Sequence, residues 1–156
     1  MRRFKQQLPE NEVRQILAEA TSGVLSIVDV HGIPYGVPLN FVYDGEHSIY
    51  FHCATEGRKM ECIHHSGRAS FCVIGLDDVV PEEFTTYFRS VIAGGCISLV
   101  EDESLKIEAL QMLCRKYSPD YDSKCEIARG LSRVAILRFD IETMCGTESI
   151  ELTRER

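Results

Sequence analysis

Several common protein classes leave no signature in this chain of 156 residues. No apolar run approaches the roughly 20 residues that a membrane-spanning helix needs, so no membrane partner is expected. The start, Met1-Arg2-Arg3-Phe4-Lys5-Gln6-Gln7, carries charge but no apolar h-region, which argues against a secretory signal and for a cytoplasmic location. No C-x-x-C pair is present and no close His/Cys spacing suggests a zinc site, so no metal site is expected. No Gly-x-Gly-x-x-Gly motif occurs, and a nicotinamide, if used, would bind only transiently. Positive charge is scarce: 17 lysines and arginines face 24 acids, a net charge of −7, which argues against nucleic acid and anionic-membrane partners. No repeat, low-complexity segment or linker breaks the chain, and residues 1–156 are read as a single domain.

What is present is ordinary globular material, 44% hydrophobic and 26% charged, enough for one sizeable core. The seven cysteines are odd in number and widely spaced, which reads as reduced thiols, several of them used as small core hydrophobes. Pro9 to Ala20 carries Val13, Ile16, Leu17 and Ala20 at helical spacing. Val24 to Val30 reads as a strand, His31-Gly32 as a turn, and Ile33 to Tyr43 as one return strand. Asp44-Gly45 is a hairpin turn leading to a third strand from Ser48 to His52, so the first third reads as a helix and a three-stranded meander. Arg58 to His65 makes two helical turns with Met60 and Ile63 inward, and Ala69 to Leu76 is a fourth strand. Asp77 to Glu83 reads as an acidic loop, and Phe84 to Val100 as a long strand with a bulge or bend at Gly94-Gly95. Asp102 caps a helix from Glu103 to Tyr117, Tyr121 to Gly130 is ambiguous with a short helix as one reading, and Arg133 to Ile141 is a last strand. About six strands with few helices suggest a mainly β protein with peripheral helices, a small antiparallel barrel.

The segment Ile49 to Lys59 carries the most chemistry. Its strand-like start breaks into a small-residue loop, Cys53-Ala54-Thr55-Glu56-Gly57, and two cations, Arg58 and Lys59, follow where a helix begins. A hydroxyl, loop N–H groups and two positive charges suit one small phosphorylated ligand. The alternative is that Arg58 and Lys59 simply open a solvated helix. His52 ends its strand and is either a hydrogen-bonding terminal residue or a proton donor beside a ligand. Cys53 alternates to the opposite face and reads as core. His64 and His65 point about 100° apart on a helix and cannot readily share an ion.

These pieces occur in an order that carries a resemblance: Ser22 to Leu25, Gly32 to Tyr43, Ile49 to Lys59, Ser70 to Ile74, Val80 to Ile92 and Ile136 to Glu142. The chain resembles the pyridoxamine 5′-phosphate oxidase-like, FMN-binding split β-barrel family, nearest to the 5-nitroimidazole-resistance-related flavoproteins. The resemblance implies a six-stranded antiparallel split barrel and a homodimer with FMN clasped at the subunit interface. It implies that Val37, Pro38, Leu39 and Asn40 lie along the flavin ring. His52, Thr55, Arg58 and Lys59 then meet the ribityl chain and phosphate. Ser90 and Val91 approach the flavin, in some members from the partner subunit. Ser90 and Arg89 must face opposite sides of their strand; Ser90 is chosen for the flavin and Arg89 held in reserve. The chain departs from the family pattern at Gly95-Cys96, where a larger apolar residue and a basic one are common. It departs again at Cys145-Gly146-Thr147, where a lysine is usual.

The resemblance implies FMN-dependent reduction of a small organic acceptor, a nitro compound being the most concrete version, with His52 as catalytic proton donor. The alternatives are a pyridoxamine- or pyridoxine-phosphate oxidase, or a non-catalytic flavin- or haem-binding protein. The first lacks an Arg-x-His-type cluster near its C-terminus. The second would leave bound cofactor without turnover.

Overall fold

The computed structural model describes residues 4–154; residues 1–3 and 155–156, at the ends of the single-domain reading, lie outside them. Helix α1 (Glu10–Glu19) has acids in its first turn, favourable at the positive end of the dipole, and buries Val13 and Leu17. Strands β1 (Gly23–Val28) and β2 (Pro34–Leu39) form the first hairpin. Strands β3 (Val42–Tyr43) and β4 (Ser48–Ala54) form the second, around Asp44-Gly45 as the sequence leads one to expect. Its turn is held by Asp44 Oδ1, which accepts from the backbone of Glu46, His47 and Ser48. Helix α2 (Arg58–His65) follows, with Met60, Cys62 and Ile63 buried. The long strands β5 (Arg68–Val80), β6 (Thr85–Leu99) and β7 (Val134–Glu148) come next. Between the last two lie α3 (Glu103–Tyr117) and α4 (Lys124–Gly130), and α5 (Ile150–Thr153) ends the described chain. Asp102 caps α3 by accepting from the Leu105 N–H at 2.7 Å.

The sheet corrects the fold expected from sequence. It is one antiparallel sheet of seven strands in the order β2-β1-β5-β6-β7-β4-β3, and it is not closed into a barrel. No ladder joins the edge strands β2 and β3 among the described residues. The cause lies in the run Ile33 to Tyr43, read as one strand and in fact broken at Asn40-Phe41. The Phe41 N–H donates to the Tyr117 hydroxyl at 2.9 Å, and the same hydroxyl lies 2.7 Å from the Phe41 carbonyl oxygen. Both backbone groups of Phe41 are thus engaged by a side chain of α3 instead of a neighbouring strand. The halves of the run land on opposite edges, so the three-stranded meander is also replaced. The linking residues hold those edges within about 11 Å of one another at this point.

One further reading changes. Asp77 and Asp78 are not loop residues: β5 runs on to Val80 and pairs them with Phe88 and Tyr87 of β6. The ambiguous stretch Tyr121 to Gly130 takes its short-helix alternative, as α4. The expected irregularity at Gly94-Gly95 is present, as a register shift against β7. Gly95 is required there, because a Cβ would fall 1.9 Å from the Asp140 carbonyl oxygen.

The main core fills the inner face of the sheet beneath α1 and α2. Its centre is aromatic: Phe71 meets Phe41 and Phe51 edge-to-face, with ring centroids 4.9 and 5.1 Å apart. A second cluster lies on the outer face of β4 and β7, where Tyr50 and Ile136 are covered by Ala109 and Leu113 of α3. Strands with both faces apolar at this end explain why α3 packs here.

Candidate functional site

The start of α2 sets two cations, Arg58 and Lys59, on an uncapped first turn. Gly57 precedes the helix with φ 117°, a left-handed value that other residues rarely take, and no side chain caps the first turn. Arg58 and Thr55 are exposed and Lys59 is half-buried. The Arg58 guanidinium stacks 4.4 Å above the Tyr35 ring and donates to Asp29 Oδ2 at 3.3 Å. Tyr35 sits on β2 and Asp29 in the β1–β2 turn, so two elements orient the fork from below. Neither residue was singled out in the sequence, although the Asp29-x-x-Gly32 turn signal is visible there. The donor set fits a phosphate: a guanidinium, an ammonium, a hydroxyl and the free N–H groups of a first helical turn.

Asp29 is itself held by the turn. Its Oδ1 accepts from the Ile33 and His31 N–H groups, both at 2.9 Å. The Ile33 bond above all, with His31 and Arg58, keeps the carboxyl below its ordinary value. A depressed folded-state value contributes stability that is present above the ordinary aspartate range and lost as pH falls through the lowered value. In an NMR titration Asp29 should therefore protonate below that range, and the Ile33 amide should shift in the same step. A midpoint at or above the ordinary value would remove this account.

Strand β2 is a sheet edge, paired among the described residues with β1 alone. Val37 and Leu39 are half-buried toward the core, whereas Pro38 and Asn40 are exposed. The Asn40 amide donates to the Thr21 carbonyl at 2.7 Å. His52 is exposed on β4, on the same face as buried Tyr50 and one residue pair beyond it. Asn40 and His52 come together at one cleft against α3. Cys53 points the other way, is buried, and lies 3.8 Å from Met60 Sδ; burial pushes its thiol up.

Ser90 and Val91 lie elsewhere in the chain. Strand β6 is three strands from β2, a span of about 14 Å. Val91 is fully buried, so its side chain belongs to the core. Ser90 is half-buried on the opposite face, its hydroxyl 3.3 Å from that of Thr147. Arg89 is held by Glu148 at 3.2 Å and Glu12 at 3.7 Å. A single chain thus brings together two groups, Arg58, Lys59 and Thr55 at α2, and Asn40 with His52 at α3, and leaves Ser90 apart.

An open antiparallel sheet with two adjacent cations at a helix start beside an edge strand, and a cleft against a peripheral helix, defines a small mainly β domain. The chain belongs to the pyridoxamine 5′-phosphate oxidase family, whose model matches residues 9–148. No functionally curated protein matches it in sequence. Among solved structures it is similar to a proposed 5-nitroimidazole antibiotic resistance protein of Bacteroides thetaiotaomicron. That match has 24% identity, covers 90% of this chain and 84% of the other, and has a TM-score of 0.77. An FAD and haem binding protein of Mycobacterium smegmatis matches at 18% identity, 94% and 74% coverage and TM-score 0.77. A flavocytochrome of Azotobacter vinelandii matches at 21%, 90% and 67%, and 0.72. At these identities the likeness establishes a shared fold.

Proposed function

We propose that the protein is an FMN-dependent oxidoreductase that reduces a small organic acceptor, a nitro compound in the most concrete version, and that it works as a homodimer. The observation that carries this reading is the uncapped start of α2, where Arg58, stacked on Tyr35 and tethered to Asp29, stands beside Lys59 and the loop hydroxyl of Thr55. Arg58 grips the phosphate as a fork, and Lys59 adds a point charge. The backbone of Val37, Pro38, Leu39 and Asn40 lies along the ring. When bound, the flavin supplies the redox chemistry, and the protein supplies position and electrostatics. His52 holds a proton at the imidazole for the reduced acceptor.

The homodimer reading draws on the outer sheet face. Across β1, β5, β6 and β7 a row in register reads Val24, Cys72, Ile92 and Cys145. Ile92 and nearby Ile74 are 54% and 65% exposed, unusual for side chains in a sheet interior. Ser90 shares this face, where a second subunit would carry it toward the flavin of its partner. The flavin and haem named for the two neighbours above make the visible spectrum the deciding readout.

The purified protein, incubated with FMN and desalted, should keep a flavin band and release FMN on denaturation. A colourless protein would overturn the reading, and a Soret band would replace flavin with haem. With FMN retained, His52→Ala should lower turnover of a nitro compound by about 100-fold or more. Wild-type turnover in that variant would end the proton-donor role.

A further inference from the structure

We infer that the cleft between the C-terminal half of α3 and the end of β4 is the acceptor pocket, and that it admits a small uncharged aromatic molecule while rejecting phosphorylated ones. This deepens the flavin reading and rests on it. The cleft has a volume of about 300 Å³, at the small end for ligand pockets, which suits one or two fused rings. Leu110 and Cys114, one helical turn apart, form its α3 wall, and Leu113 and Tyr117 continue it. Asn40 and His52 face them from the crossover and from β4.

The polar groups around the cleft are mostly engaged. The Tyr117 hydroxyl is held by the backbone of Phe41 and Thr21, and the Asn40 amide donates to the same Thr21 carbonyl. Lys116, whose ammonium lies 5.6 Å above the Tyr117 ring, is itself engaged by the Ala20 carbonyl at 2.6 Å and lies 4.2 Å above the Phe41 ring. No lysine, arginine or acid lines the cleft among the described residues. A phosphate dianion entering it would lose its hydration with His52 alone to offset the loss, against the guanidinium, ammonium and helix N–H groups available at α2. An uncharged ring loses little and gains the leucine wall. His52 makes no side-chain hydrogen bond among the described residues and Ser118 also lines the cleft, which leaves an imidazole and a hydroxyl to orient a guest. The chain thus separates a strongly cationic end at α2 from a largely apolar end with a single imidazole at α3, as needed to hold the cofactor phosphate at one and an apolar acceptor at the other.

Leu110 and Cys114 are therefore specificity-determining residues, and Cys114 reports on the cleft directly. The test follows modification of each cysteine of the intact FMN-incubated protein by N-ethylmaleimide, read by peptide mass spectrometry, with retained flavin absorbance measured on the same sample. Nitrobenzene at about ten times its dissociation constant should slow Cys114 labelling by about tenfold. It should leave exposed Cys125 on α4 unaffected. 4-Nitrophenyl phosphate at the same concentration should not protect. Leu110→Trp, which fills the cleft, should abolish the nitrobenzene effect while FMN stays bound. Equal protection by both compounds, by neither, or by FMN alone would overturn the inference. Loss of flavin from the wild-type protein would instead remove the cofactor reading, and the labelling result would still decide the pocket.

Discussion

Replacing both Arg58 and Lys59 by alanine should weaken FMN binding by about 100-fold or more. A hydrogen bond to a charged group contributes about 1.5–3 kcal/mol, and each 1.4 kcal/mol is a factor of about ten in affinity. Two cations lost together thus reach at least two orders of magnitude, even allowing for the exposure of the site. The effect belongs to binding rather than to folding. The Arg58–Asp29 pair is a surface pair, with the arginine side chain 53% exposed, and such pairs contribute about 0–1 kcal/mol. The double variant should unfold in urea close to wild type while fluorescence titration with FMN shows the loss. Raising the salt should weaken FMN for the wild type and much less for the variant. An unchanged affinity would remove α2 from the phosphate site.

Phe71→Ala should destabilise the chain by about 3–5 kcal/mol, the range for deleting a buried aromatic side chain. Against a total of about 5–15 kcal/mol for a natural domain, this takes the protein toward unfolding near physiological temperature. Phe71 is fully buried, meets two other rings, and packs so closely on β1 that a Cβ on Gly23 would lie 2.4 Å from its ring. The hole could not collapse without moving Phe41, which links the edge strands, or Phe51, which neighbours His52. Urea unfolding should show a lower midpoint with a similar slope, and a loss under about 1 kcal/mol would mean that the aromatic centre repacks.

Local chemistry was legible where it acts over a few residues. Arg58 to His65 has the bounds expected of it, Asp102 caps α3, Asp44-Gly45 turns a hairpin, and Gly94-Gly95 marks the irregular place in β6. What escaped depends on distant partners. Nothing between Ile33 and Tyr43 announces a break at Phe41, because the hydroxyl that takes its backbone belongs to Tyr117, 76 residues on. The strand character of Asp77 and Asp78 comes from their ladder with Tyr87 and Phe88, not from their own propensity. At the site, the cations could be read directly, but the Tyr35 face and Asp29 carboxylate that aim Arg58 could not. The cleft was invisible for the same reason: its walls meet only when the C-terminal half of α3 packs beside β4.

The pairing of β4 has a consequence for when binding can begin. Apart from two-residue β3, its partner is β7, whose Ile136 stands opposite His52. A growing chain on the ribosome makes His52 early and must wait for the last strand before that residue has a fixed place. The same holds for the short bridge between Gln7 and Thr147, which ties the first described turn to the final strand. Pairings of such long sequence separation form slowly and late. Nascent chains should therefore remain unable to capture ligand until β7 has left the exit tunnel, and chains stalled before β7 should present an unpaired β4 edge for chaperones to shield.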